Sequence, residues 1–186
     1  MPTFDLDAFI EACRTAAGSP EPTSSVRELL SSAVRTPQSV EAALPATRAE
    51  LTVLYASADL TIMKAVWTPR MALPPHNHLM WGAIGVYGGT EENHFYRRSA
   101  AGGLEPSGGK DLAAGEVTLL GREVIHAVVN PRSHQFTAAI HVYGGDFMHE
   151  PRSVWPGAPP AEQPATGETM RGYFERANEV VGTDDG

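Results

Sequence analysis

The chain has 186 residues, of which 42% are apolar and 19% charged, and its formal net charge is −8 at pH 7. This size and composition are typical of one compact domain, and the acidic balance argues against a nucleic-acid or anionic membrane surface. The single cysteine, Cys13, excludes an intrachain disulfide and a multi-cysteine zinc site. A bound metal would therefore need His, Asp or Glu ligands, and a small molecule is the expected partner.

The N-terminal residues predict a soluble, cytoplasmic protein. The run MPTFDLDAFIEACR carries acidic residues where a signal peptide needs basic ones. The chain also lacks an uninterrupted apolar stretch of about 18 residues, the minimum for a membrane-spanning helix. We therefore expect neither secretion nor a membrane contact.

Three helical patterns precede residue 50. Apolar residues recur at three-to-four-residue spacing over residues 4–17. Ser25 and Glu28 have the spacing of a capping box, and the apolar positions after them predict a second helix. Residues 39–44 form a shorter third pattern. Residues 1–48 are thus expected to be a helical segment packed on the rest of the chain.

From residue 50 the pattern changes to short β-branched and aromatic runs, which predict an all-β sandwich or barrel over residues 49–150. The stretch from Ser99 to Gly109 has no apolar period and is predicted to be a surface loop. Residues 151–186 form a C-terminal extension that is Pro-rich over residues 151–169, and residues 173–181 predict a short helix within it. The seven runs are ELTVLYA, DLTIMKAVW, HNHLMWGAIGVYGG, EENHFYRR, GEVTLLGR, EVIHAVVN and FTAAIHVYGG.

Three histidines in the predicted barrel are candidate metal ligands. His76 and His78 are separated by one residue, and on a strand such a pair shares a face at roughly 7 Å spacing. His126 lies in a later apolar run, where a histidine has little structural reason to be. His76, His78 and His126 could therefore bind one divalent ion together.

Charged residues of one predicted strand are further candidates. Arg97 and Arg98 end that strand, and either could bind a substrate carboxylate through a bidentate fork, although strand ends are usually solvated. Glu91 and Glu92 begin it after a Gly-Gly turn and could offer a carboxylate to the metal, although this position is commonly exposed. We keep the two arginines as candidate substrate contacts.

The histidine spacing resembles the two consensus motifs of the cupin superfamily. A His-x-His follows a Pro-rich turn, and the later segment reads Gly115-x5-Gly121-x4-His126-x3-Asn130. This second motif lacks the usual proline, and its second glycine is displaced by two positions. The resemblance implies a double-stranded β-helix, the cupin or jelly-roll barrel, with helices at its N-terminal side and one divalent metal ion.

The region from Leu60 to Tyr143 is more narrowly similar to the cysteine dioxygenase-type thiol dioxygenases and their bacterial relatives. Gly82 and Ala83 stand where many cupins carry a glutamate ligand, which leaves three imidazoles, as in that family. The segment His126-Ala-Val-Val-Asn130 matches the family's third-ligand segment. The family therefore implies a ligand set of three histidines.

A second segment extends this similarity. Ala139-Ile-His141-Val-Tyr143 aligns with the Ser-x-His-x-Tyr strand that lies near substrate and oxygen in the family, and strand alternation puts these three residues on one face. The resemblance thus implies that His141 and Tyr143 act next to the metal. Ala139 removes the serine hydroxyl of that relay, and Glu50 stands where an arginine that binds the cysteine carboxylate is expected.

The resemblance implies a mononuclear non-haem Fe(II) dioxygenase that adds O2 to a small chelating substrate, a thiol. Three histidines would also suit Zn(II), and Ni(II) or Mn(II) are further candidates, so ligand count leaves the metal open. A carbon–carbon cleaving dioxygenase acting on a diketone and a non-catalytic metal- or ligand-binding cupin fit the same residues. Cupins often pair, so a homodimer is also expected, although the apolar faces of the first two helices could equally cover their own barrel.

Overall fold

The computed structural model describes residues 3–100 and 102–184. The predicted segments and loop also include residues 1, 2, 101, 185 and 186, which lie outside the described ranges. The helices are α1 (Leu6–Ala17), α2 (Pro22–Val34), α3 (Pro37–Ala43) and α4 (Gly167–Asp184). The strands are β1 (Glu50–Ala56), β2 (Thr61–Trp67), β3 (Ala72–Asn77), β4 (Gly82–Gly88), β5 (Thr90–Arg98), β6 (Leu104–Ala113), β7 (Val117–Leu120), β8 (Ile125–Val129), β9 (Thr137–Tyr143), β10 (Ser153–Val154) and β11 (Gln163–Pro164).

Helix α2 begins earlier than the capping-box pattern predicts. Its first residue is Pro22, which suits that position because its φ is already helical and an N–H would have no partner there. Ser25 consequently lies inside the helix, and its predicted capping role is wrong. Helix α1 does have a side-chain cap, since the Asp5 carboxylate accepts a hydrogen bond from the Ala8 N–H at 3.0 Å.

The stretch predicted to be a surface loop is mostly a strand. Residues 104–109 belong to β6, which pairs antiparallel with β5 along its whole length, and backbone hydrogen bonds that join Ser99 to Gly102 and Gly103 mark the turn before it. The strand order places β6 at the edge of its sheet with most of its side chains exposed. An exposed edge strand needs backbone hydrogen bonds but no apolar alternation, so the sequence carries no signal for it.

The strand pairing defines the fold. β2 pairs with β9, β3 with β8, β4 with β7 and β5 with β6, as in one long antiparallel ribbon coiled on itself. Alternate pairs fall in alternate sheets, which gives the orders β1-β2-β9-β4-β7 and β11-β10-β3-β8-β5-β6. This arrangement is the double-stranded β-helix of the cupin barrel. The predicted all-β fold with N-terminal helices is therefore confirmed.

The N-terminal helices cover the outer face of the first sheet. Leu30 and Val34 of α2 lie directly on β4, where a Cβ at Gly85 would come within 3.1 Å of both side chains. Every residue of β2 and β9, in the same sheet, is buried. The apolar faces of α1 and α2 thus pack on their own barrel, and the homodimer remains a prediction. Within the described ranges, no helix has both the length and the apolar character needed to cross a membrane.

The C-terminal extension packs against the second sheet. Val154 of β10 pairs with His76 of β3, and the Trp155 N–H donates a hydrogen bond of 2.7 Å to the Pro75 carbonyl. Helix α4 is longer than the predicted 173–181, and its Phe174 packs on Trp67 with a ring separation of 5.2 Å. The extension therefore supports the strand that carries the first histidine.

We expect Leu30→Ala to lower the free energy of unfolding by about 2–5 kcal/mol, because this fully buried side chain joins α2 to the sheet and its removal leaves a cavity. Denaturant unfolding measures the loss. Leu119→Ala is the matched control, since Leu119 is 39% exposed and its truncation should change stability by less than about 1 kcal/mol. Equal losses in the two variants would contradict the proposed packing of α2.

Candidate metal centre

Three histidines converge inside the barrel. His76 lies opposite His126 in the β3–β8 pairing, and the ligand nitrogens of His76, His78 and His126 all lie within 4.8 Å of one another. The Nε2 atoms of His78 and His126 are 3.4 Å apart. All three side chains are buried, with at most 5% of their surface exposed. The three predicted metal ligands are thus brought together, and their geometry could hold one ion.

The His-x-His pattern predicts that the first two histidines lie on one strand, but the structure places only the first of them on a strand. β3 ends at Asn77, and His78 begins a turn in which Leu79 has the left-handed φ of 56°. The Asn77 side-chain oxygen accepts a hydrogen bond of 2.8 Å from the Ser153 N–H. His78 therefore lies one residue beyond the end of β3, at the start of this turn, with its ring 5.0 Å from the ring of His76.

Backbone and side-chain acceptors fix which nitrogen of two histidines carries the proton. The Pro74 carbonyl lies 3.0 Å from His76 Nδ1, so this nitrogen donates and leaves the His76 Nε2 lone pair free. His126 Nδ1 donates in the same way to the Asn93 side-chain oxygen at 2.7 Å. Acceptors behind the ring are the usual way in which proteins orient metal-binding histidines.

The site favours neutral imidazoles. Burial lowers the pKa of His76 to about 4, with a smaller contribution from the positive charge of Arg152. Burial and the neighbouring histidines lower the pKa of His78 and His126 well below the ordinary value. Neutral imidazole is the form that binds a metal, so all three rings are ready to coordinate at neutral pH.

Glu91 forms a polar centre behind the histidines. Its carboxylate is fully buried and accepts hydrogen bonds from Asn93 Nδ2 at 2.9 Å and Trp67 Nε1 at 3.1 Å. Burial by itself would raise the pKa of Glu91, but these hydrogen bonds and nearby His141 hold it below the ordinary value. Among the described residues, the group able to hold a metal contains only the three histidines, so Glu91 is not the carboxylate ligand considered from the sequence.

His141 and Tyr143 lie beside the histidine cluster. The His141 Nδ1 and the Tyr143 hydroxyl are 2.8 Å apart, and the Tyr143 ring packs against the His78 ring at 4.8 Å. Burial raises the pKa of Tyr143, so its hydroxyl keeps its proton at neutral pH. His141 Nε2 is buried, lacks a hydrogen-bond partner among the described residues, and lies 3.9 Å from Glu91 Oε2. The pair predicted from the sequence is thus adjacent to the candidate ligands.

The two arginines predicted to bind substrate lie on the outer surface. Arg97 Nε donates to Glu105 at 2.9 Å. Arg98 makes two hydrogen bonds of 2.7 Å to Glu162 and stacks over the Trp155 ring. More than half of each side chain is exposed. These partners give both residues a structural role at the end of β5, away from the buried histidines.

Arg152 is a candidate that sequence reasoning missed. Its Nε and Nη1 atoms are buried without a hydrogen-bond partner among the described residues, and its guanidinium lies 3.7 Å from the Phe147 ring centre. Phe147 in turn stacks on Tyr143 and contacts His78. Arg152 belongs to the Pro-rich extension, where the sequence offers no signal that separates it from a surface arginine.

A cavity of about 660 Å³ reaches this region from the surface. Met63, Phe147 and Arg152 form its inner part, and helix α4 contributes Met170 and Phe174. Met63 and Phe147 also belong to the apolar cluster around Tyr143. The ring of Phe147 also lies 5.8 Å from the ring of His78, so the cavity lining contacts the histidine cluster, and the cavity volume suits a small-molecule ligand.

Comparison with known proteins finds several similar solved structures. No protein-family model matches the chain. The chain is similar to a Klebsiella pneumoniae protein with a double-stranded β-helix domain (16% identity over 57% of this chain and 79% of that one, TM-score 0.44). It is similar to the cupin domain of Schizosaccharomyces pombe Cnp3 (9% identity, 55% and 67% covered, TM-score 0.45).

A third similar structure is a Bacillus subtilis oxalate decarboxylase variant, with 12% identity and a TM-score of 0.39. The match covers 48% of this chain and 22% of the decarboxylase, so the chain spans about a fifth of that protein's length. These identities and scores are too low to transfer an activity. The strand order itself identifies the chain as a double-stranded β-helix protein with a three-histidine centre.

We expect the protein to bind one equivalent of Co(II), and His126→Ala to weaken that binding by more than about 100-fold, because a ligand is lost from a buried set of three. The visible absorption of Co(II) during titration measures the binding. His94→Ala is the control, since His94 is half exposed and its ring pairs with Glu92 on the surface. Unchanged affinity in the His126 variant would refute the assignment of the site.

Proposed function

We propose that the protein is a mononuclear non-haem Fe(II) dioxygenase that adds both atoms of O2 to the sulfur of a small carboxylate-bearing thiol, giving a sulfinic acid. The observation that carries this proposal is a buried set of three neutral imidazoles with Tyr143 against it and no carboxylate in the set. Three neutral ligands leave the full charge of a divalent ion available to an anionic chelating substrate and to O2.

The residues present fit such an ion. The Nε2 atoms of His76 and His126 are left free by acceptors at the opposite ring nitrogens, and the His78 Nε2 lies 3.4 Å from that of His126. Bare lone pairs at this distance repel one another unless a cation or a proton lies between them. When bound, Fe(II) supplies the one-electron chemistry that permits O2 to react with a thiolate. Zn(II), Ni(II) and Mn(II) could occupy the same ligands.

Tyr143 and His141 can accept the proton that a thiol loses when it binds as a thiolate. The Tyr143 hydroxyl donates to His141 Nδ1 across 2.8 Å, so its own oxygen can take the thiol proton while its first proton passes to His141. Both side chains are buried, which keeps bulk water from competing for this transfer. Ala139 lacks the serine hydroxyl, but the proton transfer from Tyr143 to His141 does not pass through position 139.

Arg152 can bind the carboxylate of the substrate. Its buried Nε and Nη1 atoms have no hydrogen-bond partner among the described residues, so the guanidinium has donors available for a charge-assisted hydrogen bond to a carboxylate. Its charge is close enough to lower the pKa of His76 and His78. A short substrate held there would have its thiol near the histidines, and Met63 and Phe147 would keep the reacting end dry.

We expect the Fe(II)-reconstituted protein to consume O2 when 3-mercaptopropionate, cysteine or another small carboxylate-bearing thiol is added. Purification without oxygen, followed by oxygen-electrode measurements, tests this, and His126→Ala should abolish the uptake. Consumption with a diketone but with no thiol would replace the thiol with a carbon–carbon bond as the target. Binding of one metal equivalent without O2 consumption by any substrate would refute the dioxygenase proposal in favour of a binding role.

We expect Arg152→Gln to raise KM for the carboxylate-bearing thiol roughly 10–100-fold, because a charge-assisted hydrogen bond is lost. Turnover of cysteamine, which lacks a carboxylate, should be unaffected by the substitution. Arg122→Gln is the control, since Arg122 is an exposed arginine outside the cavity. An equal effect on both thiols would exclude Arg152 as the carboxylate contact.

A further inference from the structure

The buried carboxylate of Glu91 lies between Asn93 on one side and His141 on the other. None of its surface is exposed, and it lies near the start of β5 in the barrel interior. Its Oε1 faces Asn93, and its Oε2 faces both Trp67 and His141. An ionised carboxyl group deep in a protein is unfavourable unless several donors surround it, so this placement calls for an explanation beyond packing.

One side of Glu91 leads to His126. A carboxylate can only accept hydrogen bonds, so the Asn93 amide must turn its NH2 group to Glu91 Oε1, at 2.9 Å. The carbonyl oxygen of the same amide then faces His126 Nδ1 at 2.7 Å. Because that oxygen is an acceptor, Nδ1 must carry the proton. His126 Nε2, which faces the other histidines, is thereby left as a free lone pair.

The other side of Glu91 leads to Tyr143. His141 Nε2 lies 3.9 Å from Glu91 Oε2, too far for a hydrogen bond but close enough for the negative charge to favour a proton on that nitrogen. With Nε2 protonated, His141 Nδ1 is an acceptor. The Tyr143 hydroxyl then donates to it across 2.8 Å. The orientation of the phenol is thus linked to the same carboxylate.

We propose that Glu91 is a positioning residue that sets the proton position on two histidines at once, so that His126 presents Nε2 to the metal and His141 presents Nδ1 to Tyr143. The inference deepens the proposed dioxygenase function and, in its link to Tyr143, rests on it. Glu91 acts through Asn93 and His141 and does not itself belong to the ligand group.

A glutamine at position 91 tests this assignment because it cannot accept on both sides. If its carbonyl oxygen serves Trp67 and His141, its NH2 group faces Asn93, whose amide must flip and present NH2 to His126 Nδ1. The proton of His126 then moves to Nε2, the nitrogen that should bind the metal. If the carbonyl oxygen serves Asn93 instead, the NH2 group faces His141 Nε2 and removes its proton preference.

The experiment records two-bond nitrogen–proton NMR correlations of the histidine side chains in the metal-free protein, which report the proton position on each ring. We expect His126 protonated at Nδ1 and His141 at Nε2 in the unsubstituted protein, and a change in one of them in Glu91→Gln. Metal affinity, measured with Co(II) alone, should fall roughly 10–100-fold when the His126 side is the one that changes. Glu92→Gln is the matched control, because Glu92 is the adjacent residue and its side chain hydrogen-bonds exposed His94.

A proton on Nε2 of His126 and on Nδ1 of His141 in the unsubstituted protein would overturn the proposal. This measurement uses the unsubstituted protein alone, so it does not depend on whether a variant folds. A folded Glu91→Gln protein with both proton positions unchanged would also overturn it. Neither readout involves oxygen or substrate. If both histidines have the expected proton positions but no O2 is consumed, only the dioxygenase proposal fails. If O2 is consumed but the proton positions differ from those expected, only the proposed positioning role of Glu91 fails.

Discussion

The antiparallel pairing of β3 with β8 is the constraint on which the rest of the site depends. It sets His76 opposite His126 and so brings together two residues that are far apart in the chain. The C-terminal extension strengthens the outer side of this pairing, because Val154 continues the sheet at His76. The turn after Asn77 then returns His78 to the same point. A shift of register by one residue would turn one histidine out of the barrel, so the site and the fold share one set of hydrogen bonds.

The interior of the barrel is more polar than a structural core requires. Glu91, Asn93 and His141 are all buried, and each contacts another polar group of the same network. Such a network is unfavourable to bury unless its donors and acceptors match. The apolar residues that surround it, on the inner faces of β4 and β9, isolate it from water. This arrangement is typical of a site that holds an ion and controls protons, and it would be an inefficient way to stabilise a barrel.

Helices pack outside the two sheets, and polar residues lie between the sheets. Helices α1 and α2 pack on the first sheet, and their apolar residues belong to the cluster with the most buried members. Helix α4 packs against residues of both sheets, among them Trp67 and Leu73, and lines the cavity. Apolar clusters thus lie outside the sheets as well as between them, and the space between the sheets also holds the histidines and Glu91.

The sequence by itself determined the strand-rich region, the N-terminal helices, and the grouping of His76, His78 and His126, because these rest on local periodicity and on spacing within one fold. Alternation along one strand likewise placed His141 and Tyr143 on a common face. Periodicity, spacing and alternation can be read from a few neighbouring residues, and the structure adds the distances between the side chains that they group.

Only the tertiary structure decided which charged residues belong to the site. Glu91 and Glu92 are adjacent and chemically identical, yet the strand pairing buries the first and leaves the second beside exposed His94. Arg97 and Arg152 are likewise indistinguishable by type, and the paths of β5 and the extension put one on the surface and one beside Phe147. Burial of a charge depends on what other segments bring around it, and that information is spread over the whole chain rather than held in the residue's own neighbourhood.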